Sequence, residues 1–277
     1  MAIKQLSYTK MTDFNGCPKR FWHTYINNET NTPGYKALLG TYIHNVLEDI
    51  YGVEPKHRTE QNFKEVTAQW WPELENDPDF TSLKLNEEQL LKAKWDLWDG
   101  VKGIFKLENP QKIMVEHLEI ILTTELNGVP FRGVIDRVQK QESGFTIVED
   151  YKSGRPPAPM FAGQKNFQLQ LYASAYSKVT GEKPAAAKLL YLGNTTVNVP
   201  LSKGNIEHVE AVLKDTWERI GEAEQNNQYE PKPGPLCGWC PYAHKCVKGI
   251  EELKTRLNNK KLKKSAPNYH LAIPAES

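Results

Sequence analysis

The segment Thr146-Ile147-Val148-Glu149-Asp150-Tyr151-Lys152-Ser153-Gly154 decides how the chain is read. Its β-branched start, with the turn pair Ser143-Gly144 just before it, marks a short strand. Side chains alternate along a strand, so Asp150 and Lys152 share one face and Tyr151 takes the other. Upstream, residues 113–122 and 131–138 have the same texture and are separated by Asn127-Gly128, which predicts consecutive antiparallel strands with 145–151. The middle strand carries Asp136 in the otherwise apolar run Gly133-Val134-Ile135-Asp136, where an unpaired carboxylate is costly. Two carboxylates brought together across a hairpin repel each other unless a cation sits between them. A hard divalent metal with oxygen ligands meets that need, and such a metal also polarises a phosphoryl oxygen and acidifies bound water. The same residues allow a plainer arrangement, with Asp136 paired to Arg137 or Arg132 and Asp150 to Lys152 in a surface ion pair.

Toward the N-terminus, Leu38, Leu39, Tyr42, Ile43, Val46, Leu47 and Ile50 recur at three and four residues, which predicts an amphipathic helix over 35–51. A second stripe runs through Leu91, Trp95, Trp98, Val101 and Phe105, and 63–74 is a weaker helix ended near Asp77-Pro78. Residues 7–26 read as two short helices hinged at Asn15-Gly16, with Pro18 in the first turn of the second. Beyond the strands come a helix over 163–179, strand-like stretches at 187–192 and 195–200, and a helix over 202–225. From Pro231 the chain is loop-rich, and the charged run from Lys254 to Lys264 reads as a solvated helix end or loose tail.

The bulk numbers set outer limits. A chain of 277 residues, 39% hydrophobic and 25% charged, folds around a sizeable core. No run approaches the ~18 apolar residues of a membrane span, and the start lacks the apolar stretch of a secretory signal, so a cytoplasmic location is expected. The net charge of +1 announces no nucleic-acid binder, which leaves any DNA contact to local basic residues such as Lys19, Arg20, Arg155 and Lys165. Each of these is equally plausible in a surface ion pair. There is no Gly-x4-Gly-Lys-Ser/Thr segment, hence no ATP site of the Walker type.

Four cysteines complete the inventory: Cys17, then Cys237-x2-Cys240-x5-Cys246. Cys-x2-Cys alone suits a redox pair or half of a zinc site, and four thiolates suit zinc or an iron-sulfur cluster. One donor near the start and three near the end would staple distant parts of the chain.

Taken in order, these elements resemble the RecB-like branch of the PD-(D/E)XK nucleases. Asp136 on one strand and Asp150-Tyr151-Lys152-Ser153-Gly154 on the next match its two strand motifs. Gly40-x3-His44 is similar to its upstream Gly-x3-His element, and Gln168-x3-Tyr172 to its Gln-x3-Tyr helix. Ile135 stands where the family name has proline, and Asp150 where it allows glutamate; both variants occur in the branch. Cys17-Pro18-Lys19-Arg20-Phe21 and Cys237-Gly238-Trp239-Cys240 resemble the bracketing cysteines of AddB-type, CRISPR-associated RecB-like and exonuclease V-like nucleases.

The resemblance implies an α/β, restriction-endonuclease-like fold: a central mixed sheet flanked by helices, with an inserted helical lobe at about 52–110 and a C-terminal cysteine region. It implies one nuclease domain over 1–253, with residue 17 and 231–248 forming the iron-sulfur region and a basic tail at 254–277. His44, Asp136, Asp150 and the Tyr151 carbonyl would hold Mg2+ or Mn2+, with Asp136, Asp150 and Lys152 catalytic. Cys17, Cys237, Cys240 and Cys246 would hold a 4Fe-4S cluster. Gln168, Tyr172, Arg20 and Arg155 would contact DNA. Trp70, Trp71, Trp95 and Trp98 fall in the helical lobe, where a stripe at that spacing serves as core or as a base-stacking surface. The implied activity is a DNA exonuclease on single strands or ends, of bacterial, archaeal or viral origin, with recombination or CRISPR-adaptation proteins as partners. The alternative is a non-catalytic iron-sulfur or zinc protein of the same fold that binds DNA or assembles complexes.

Overall fold

The computed structural model describes residues 3–273. In chain order its helices are α1 (Tyr8–Gly16), α2 (Pro18–Phe21), α3 (Tyr35–Gly52), α4 (Glu60–Glu75), α5 (Pro78–Ser82), α6 (Glu87–Lys102), α7 (Pro159–Thr180), α8 (Lys203–Gln225) and α9 (Val247–Asn258). The strands are β1 (Val115–Leu126), β2 (Val129–Lys140), β3 (Thr146–Lys152), β4 (Ala186–Tyr191) and β5 (Thr195–Val199). Two compact units result, one of residues 32–211 and one of residues 1–31 with 212–277.

The first unit holds a five-stranded mixed sheet in the order β1-β2-β3-β4-β5. Asn127 and Gly128 both have positive φ (48° and 80°), the two-residue turn whose twist suits a hairpin, and this joins β1 to β2. β2 and β3 are antiparallel, whereas β3 and β4 are parallel through the α7 crossover, and β5 returns antiparallel to β4. The apolar face of α3 (Leu38, Ile43, Val46, Leu47, Ile50) is buried in one core with Phe63, Trp71 and Leu74 of α4 and Ala93, Leu97 and Val101 of α6. Between α3 and β1 the chain thus forms α4, α5 and α6, within the unit of residues 32–211. Asp77-Pro78 starts α5 instead of simply ending its predecessor, because the Asp77 carboxylate accepts the N–H groups of Asp79 and Phe80 and proline suits the first turn.

Behind the sheet's catalytic-looking face lies a buried ion cluster. The fully buried Arg137 of β2 donates through Nη1 and Nη2 to the two oxygens of Glu108 (2.6 and 2.8 Å) and through Nε to Glu149 of β3 (2.7 Å). Its guanidinium lies 4.5 Å from the ring centre of Tyr51 and 5.5 Å from that of Tyr151. The plainer pairing of Asp136 with Arg137 is therefore not the one formed.

The second unit contains α1 and α2, a five-residue π-helical turn at Trp22–Ile26, and the cysteine-bearing C-terminal segment. Phe14 meets Phe21 edge to face at 5.3 Å. The stretch after Pro231 is less loop-like than its composition suggests. Cys246 caps α9, whose buried Leu253 packs with Ala243 and Ala272, and Lys254 lies inside that helix.

Truncating Arg137 to Ala leaves Glu149 buried without its counter-charge, so we expect a loss of about 3–5 kcal/mol of stability in urea denaturation. A loss below about 1 kcal/mol would show that the cluster holds nothing in register.

Candidate active site

The register Arg137↔Glu149 carries one step further to Asp136 and Asp150, where the β2–β3 ladder ends. There the Asp136 side chain takes over, its Oδ2 accepting the Tyr151 backbone N–H at 2.7 Å. The same oxygen lies 3.3 Å from His44 Nδ1, which α3 delivers from above. Asp150 and Lys152 do share a face, with Lys152 Nζ 2.5 Å from Asp150 Oδ2. This is no surface pair, because Asp150 is only 2% exposed, and its Oδ2 has no well-aligned hydrogen bond. Lys152 Nζ also donates to Gln168 Oε1 (2.8 Å), and Gln168 Nε2 to the Tyr172 hydroxyl (3.2 Å). Gly133 makes that arrangement fit: a Cβ there would sit 2.6 Å from the Tyr172 ring.

One residue of this cluster went unpredicted. Glu119 of β1 sits between the pairs Leu118↔Arg137 and Ile120↔Ile135, across from Asp136, with φ at +44°. A left-handed glutamate in mid-strand costs about 1–3 kcal/mol and persists only where its surroundings over-determine it. Here it brings a third carboxylate to the site. His44, Glu119 and Asp136 offer donor atoms all within 4.8 Å of one another, the group of three or more such donors that close among the described residues. Gly40, Thr41, His44, Asn45, Glu48 and Glu119 line the adjoining recess. The one signal in the sequence was an acid inside the run Leu118-Glu119-Ile120-Ile121-Leu122, the same kind of signal that marks Asp136.

The electrostatics follow from this crowding. Burial, then the neighbouring Asp136, pushes Asp150 up to about 6. Burial, then Asp136 and Glu48, pushes Glu119 up to about 7. Burial opposes a charged His44, but the Asp136 carboxylate beside it outweighs this and the net direction is upward. Left to itself the cluster holds protons where a divalent cation would hold carboxylates. A buried carboxylate oxygen without an aligned donor, beside an imidazole and two more acids, fits Mg2+ or Mn2+.

Other expected residues lie elsewhere. Arg155 is exposed just past Gly154, while Arg20 is in the other unit, paired with Asp13. Trp71 is core and Trp70 donates to Asp49 (2.7 Å), whereas Trp95 is 59% exposed. In the second unit all four cysteines line one recess. Cys17, Cys237 and Cys246 accept backbone N–H groups from Lys232, Gly234 and Gly249 (3.4, 3.4 and 3.2 Å), and Cys240 accepts that of Tyr242. Four half-buried sulfurs, each supplied with an amide donor, fit a soft metal or a cluster.

The sheet, its crossover helix, and Asp136 on β2 beside the Asp150–Lys152 pair on β3 define a nuclease-like core. The chain belongs to the PD-(D/E)XK nuclease superfamily, whose family model matches residues 5–247. Among solved structures it is similar to a protein of Eubacterium rectale whose assignment as an exonuclease is itself provisional. The two share 16% identity over 88% of this chain and 89% of that one, with a TM-score of 0.54, a likeness of fold. A second structure, SSO0001, gives 16% identity over 76% and 95% of the two chains with a TM-score of 0.33, too low to carry an argument. No curated protein matches the chain. No helix among the described residues is long and apolar enough to cross a membrane.

The raised Glu119 gives a pH test. Folded Glu119 keeps its proton up to about 7, whereas an unfolded glutamate releases it near 4.5, so stability present below 4.5 is lost as pH rises through 7. Glu119→Gln should therefore melt roughly 2–4 °C above wild type at pH 8 in EDTA and level with it at pH 4. A difference independent of pH would mean that Glu119 does not titrate in this cluster.

Proposed function

We propose that the protein is a divalent-metal-dependent deoxyribonuclease, an exonuclease acting on single strands or ends of DNA in recombination, repair or the processing of phage or CRISPR-targeted DNA. The observation that supports it best is the buried Asp150, in contact with Lys152 and backed by Asp136, His44 and Glu119. In this reading His44, Asp136, Asp150 and the Tyr151 carbonyl hold Mg2+ or Mn2+, with Glu119 as a further oxygen donor. When bound, such a cation polarises the phosphoryl oxygen and lowers the pKa of water. Lys152 orients the attacking water and offsets charge building on the phosphate. Gln168 fixes the Lys152 ammonium, and Tyr172 fixes Gln168, so this helix positions the reacting groups and the strand. Arg155 and Arg20 are the proposed phosphate contacts, and the cytoplasm is the proposed place of action.

The four cysteines are read as holding a 4Fe-4S cluster that staples the ends of the chain. A single zinc with Zn–S bonds of about 2.3 Å needs its sulfurs within roughly 4 Å of one another. The four sulfurs share a recess without forming a group of three that close, which favours a larger, polynuclear guest.

The deciding assay incubates anaerobically purified protein with end-labelled single and double strands in Mg2+, Mn2+ or EDTA. Lys152→Ala and Asp150→Ala should each lower the rate at least about 100-fold with the fold intact, and only Asp150→Ala should also weaken metal binding. Wild-type rates in either variant would sink the site. His44→Ala should be slow in Mg2+ and partly restored by raised Mn2+, and an unchanged rate at every metal concentration would reduce His44 to a packing residue.

Cys17→Ser and Cys240→Ser should lower the melting temperature alike, since losing either thiolate opens the same staple. Iron and sulfide analysis should give about four irons per chain; one zinc and no iron would replace the cluster by a zinc site.

A further inference from the structure

His23 is buried in the second unit, 5% exposed, on the π-helical turn that follows α2. Its Nδ1 lies 2.7 Å from Glu29 Oε1. Glu29 is a fixed carboxylate: it accepts from Lys245 Nζ (2.7 Å) and Asn27 Nδ2 (2.7 Å), and those contacts, with His23, hold it down to about 2. A carboxylate can only accept, so Nδ1 carries a proton and Nε2 is the ring nitrogen left for another partner. That nitrogen is buried and has no hydrogen-bond partner. The ring is also clamped, stacked on Tyr242 at 4.7 Å with the planes 18° apart, while the Tyr242 hydroxyl donates to the Glu29 carbonyl. Tyr242 belongs to the loop between Cys240 and Cys246, and His23 lines the same recess as the four cysteines.

Buried polar atoms in folded proteins are almost always paired, so an orphaned ring nitrogen held rigid from both sides calls for a partner. A histidine that gives one N–H to a carboxylate and leaves its other nitrogen unpaired, on a residue lining the recess of four thiols, has the makings of a metal-binding imidazole. We infer that His23 is a fifth donor of the cysteine site, its Nε2 binding the metal group that the thiolates hold and Glu29 fixing the ring for that purpose. The inference rests on the reading of the cysteines as a metal site. Five donors are one more than a four-ligand group uses, so one position of the group can exchange between sulfur and nitrogen.

The test uses full-length protein purified anaerobically, with iron, sulfide and zinc counted in wild type, His23→Phe and Glu29→Gln. Phenylalanine keeps the ring over Tyr242 and removes the nitrogen. If the metal is iron, reduced wild type grown on 15N-histidine should show strong 15N coupling in pulsed EPR. The coupling should be absent from His23→Phe and weaker in Glu29→Gln. If it is zinc, K-edge absorption should show imidazole scattering that His23→Phe loses. Because the labelled wild type gives the answer by itself, a variant that fails to fold does not remove the test. A metal-loaded wild type with only weak, through-space nitrogen coupling, or without imidazole scattering, overturns the inference and leaves the four-thiolate reading standing. A wild type that holds neither iron nor zinc overturns both.

Discussion

The guanidinium of Arg137 is the point on which the nuclease core is hung. It is wholly buried, and taking such a charge out of water is tolerable only because Glu108 and Glu149 supply two carboxylates in the fork geometry that arginine matches. Those partners come from the segment between α6 and β1 and from β3, while the Tyr51 ring over which Arg137 lies belongs to α3. One side chain therefore ties together the three elements that carry His44, Asp136 and Asp150. The need for such a tie is electrostatic. Asp136 and Asp150 repel each other, and a strand that slipped by one residue would turn Asp150 and Lys152 to the opposite face. A register held by Arg137↔Glu149 does not depend on a cation being present.

The cluster in front of that tie has the opposite character. Behind the sheet every charge has its partner, whereas in front three carboxylates and an imidazole face one ammonium. Burial and mutual repulsion raise Asp150 and Glu119. Protons and the proposed divalent cation would compete for the same oxygens, so its affinity would rise with pH through the range where these groups ionise. The strained backbone at Glu119 belongs to the same trade, since a regular strand would not present that carboxylate beside His44 and Asp136.

Much of this was legible in the residues. Alternation fixed the shared face of Asp150 and Lys152, Asn127-Gly128 fixed the hairpin, and three-four periodicity fixed α3 and α6. Glu119 escaped because its position depends on one left-handed residue, and backbone irregularity leaves no periodic trace. Alternation already sets Asp136 and Arg137 on opposite faces, against the plainer pairing of the two, but that Glu108 and Glu149 are the companions of Arg137 appears only in the fold. α9 was missed because Ile250, Leu253 and Leu257 form a thin stripe among lysines and glutamates. His23 stands in Trp22-His23-Thr24-Tyr25 without any pattern to mark it, and only the fold reveals Glu29 on one side of it and Tyr242 on the other.

The division of the chain also sets an order of assembly. Residues 32–211 form a unit whose contacts are all available once β5 and the start of α8 have left the ribosome. Residues 1–31 belong with 212–277, so they wait through the synthesis of 32–211. The thiol of Cys17 spends that interval without Cys237, Cys240 and Cys246. A chain broken off before residue 237 would carry Asp136, Asp150 and Lys152 but only Cys17 of the four cysteines. The recess that the four cysteines line is therefore complete only once synthesis has passed Cys246.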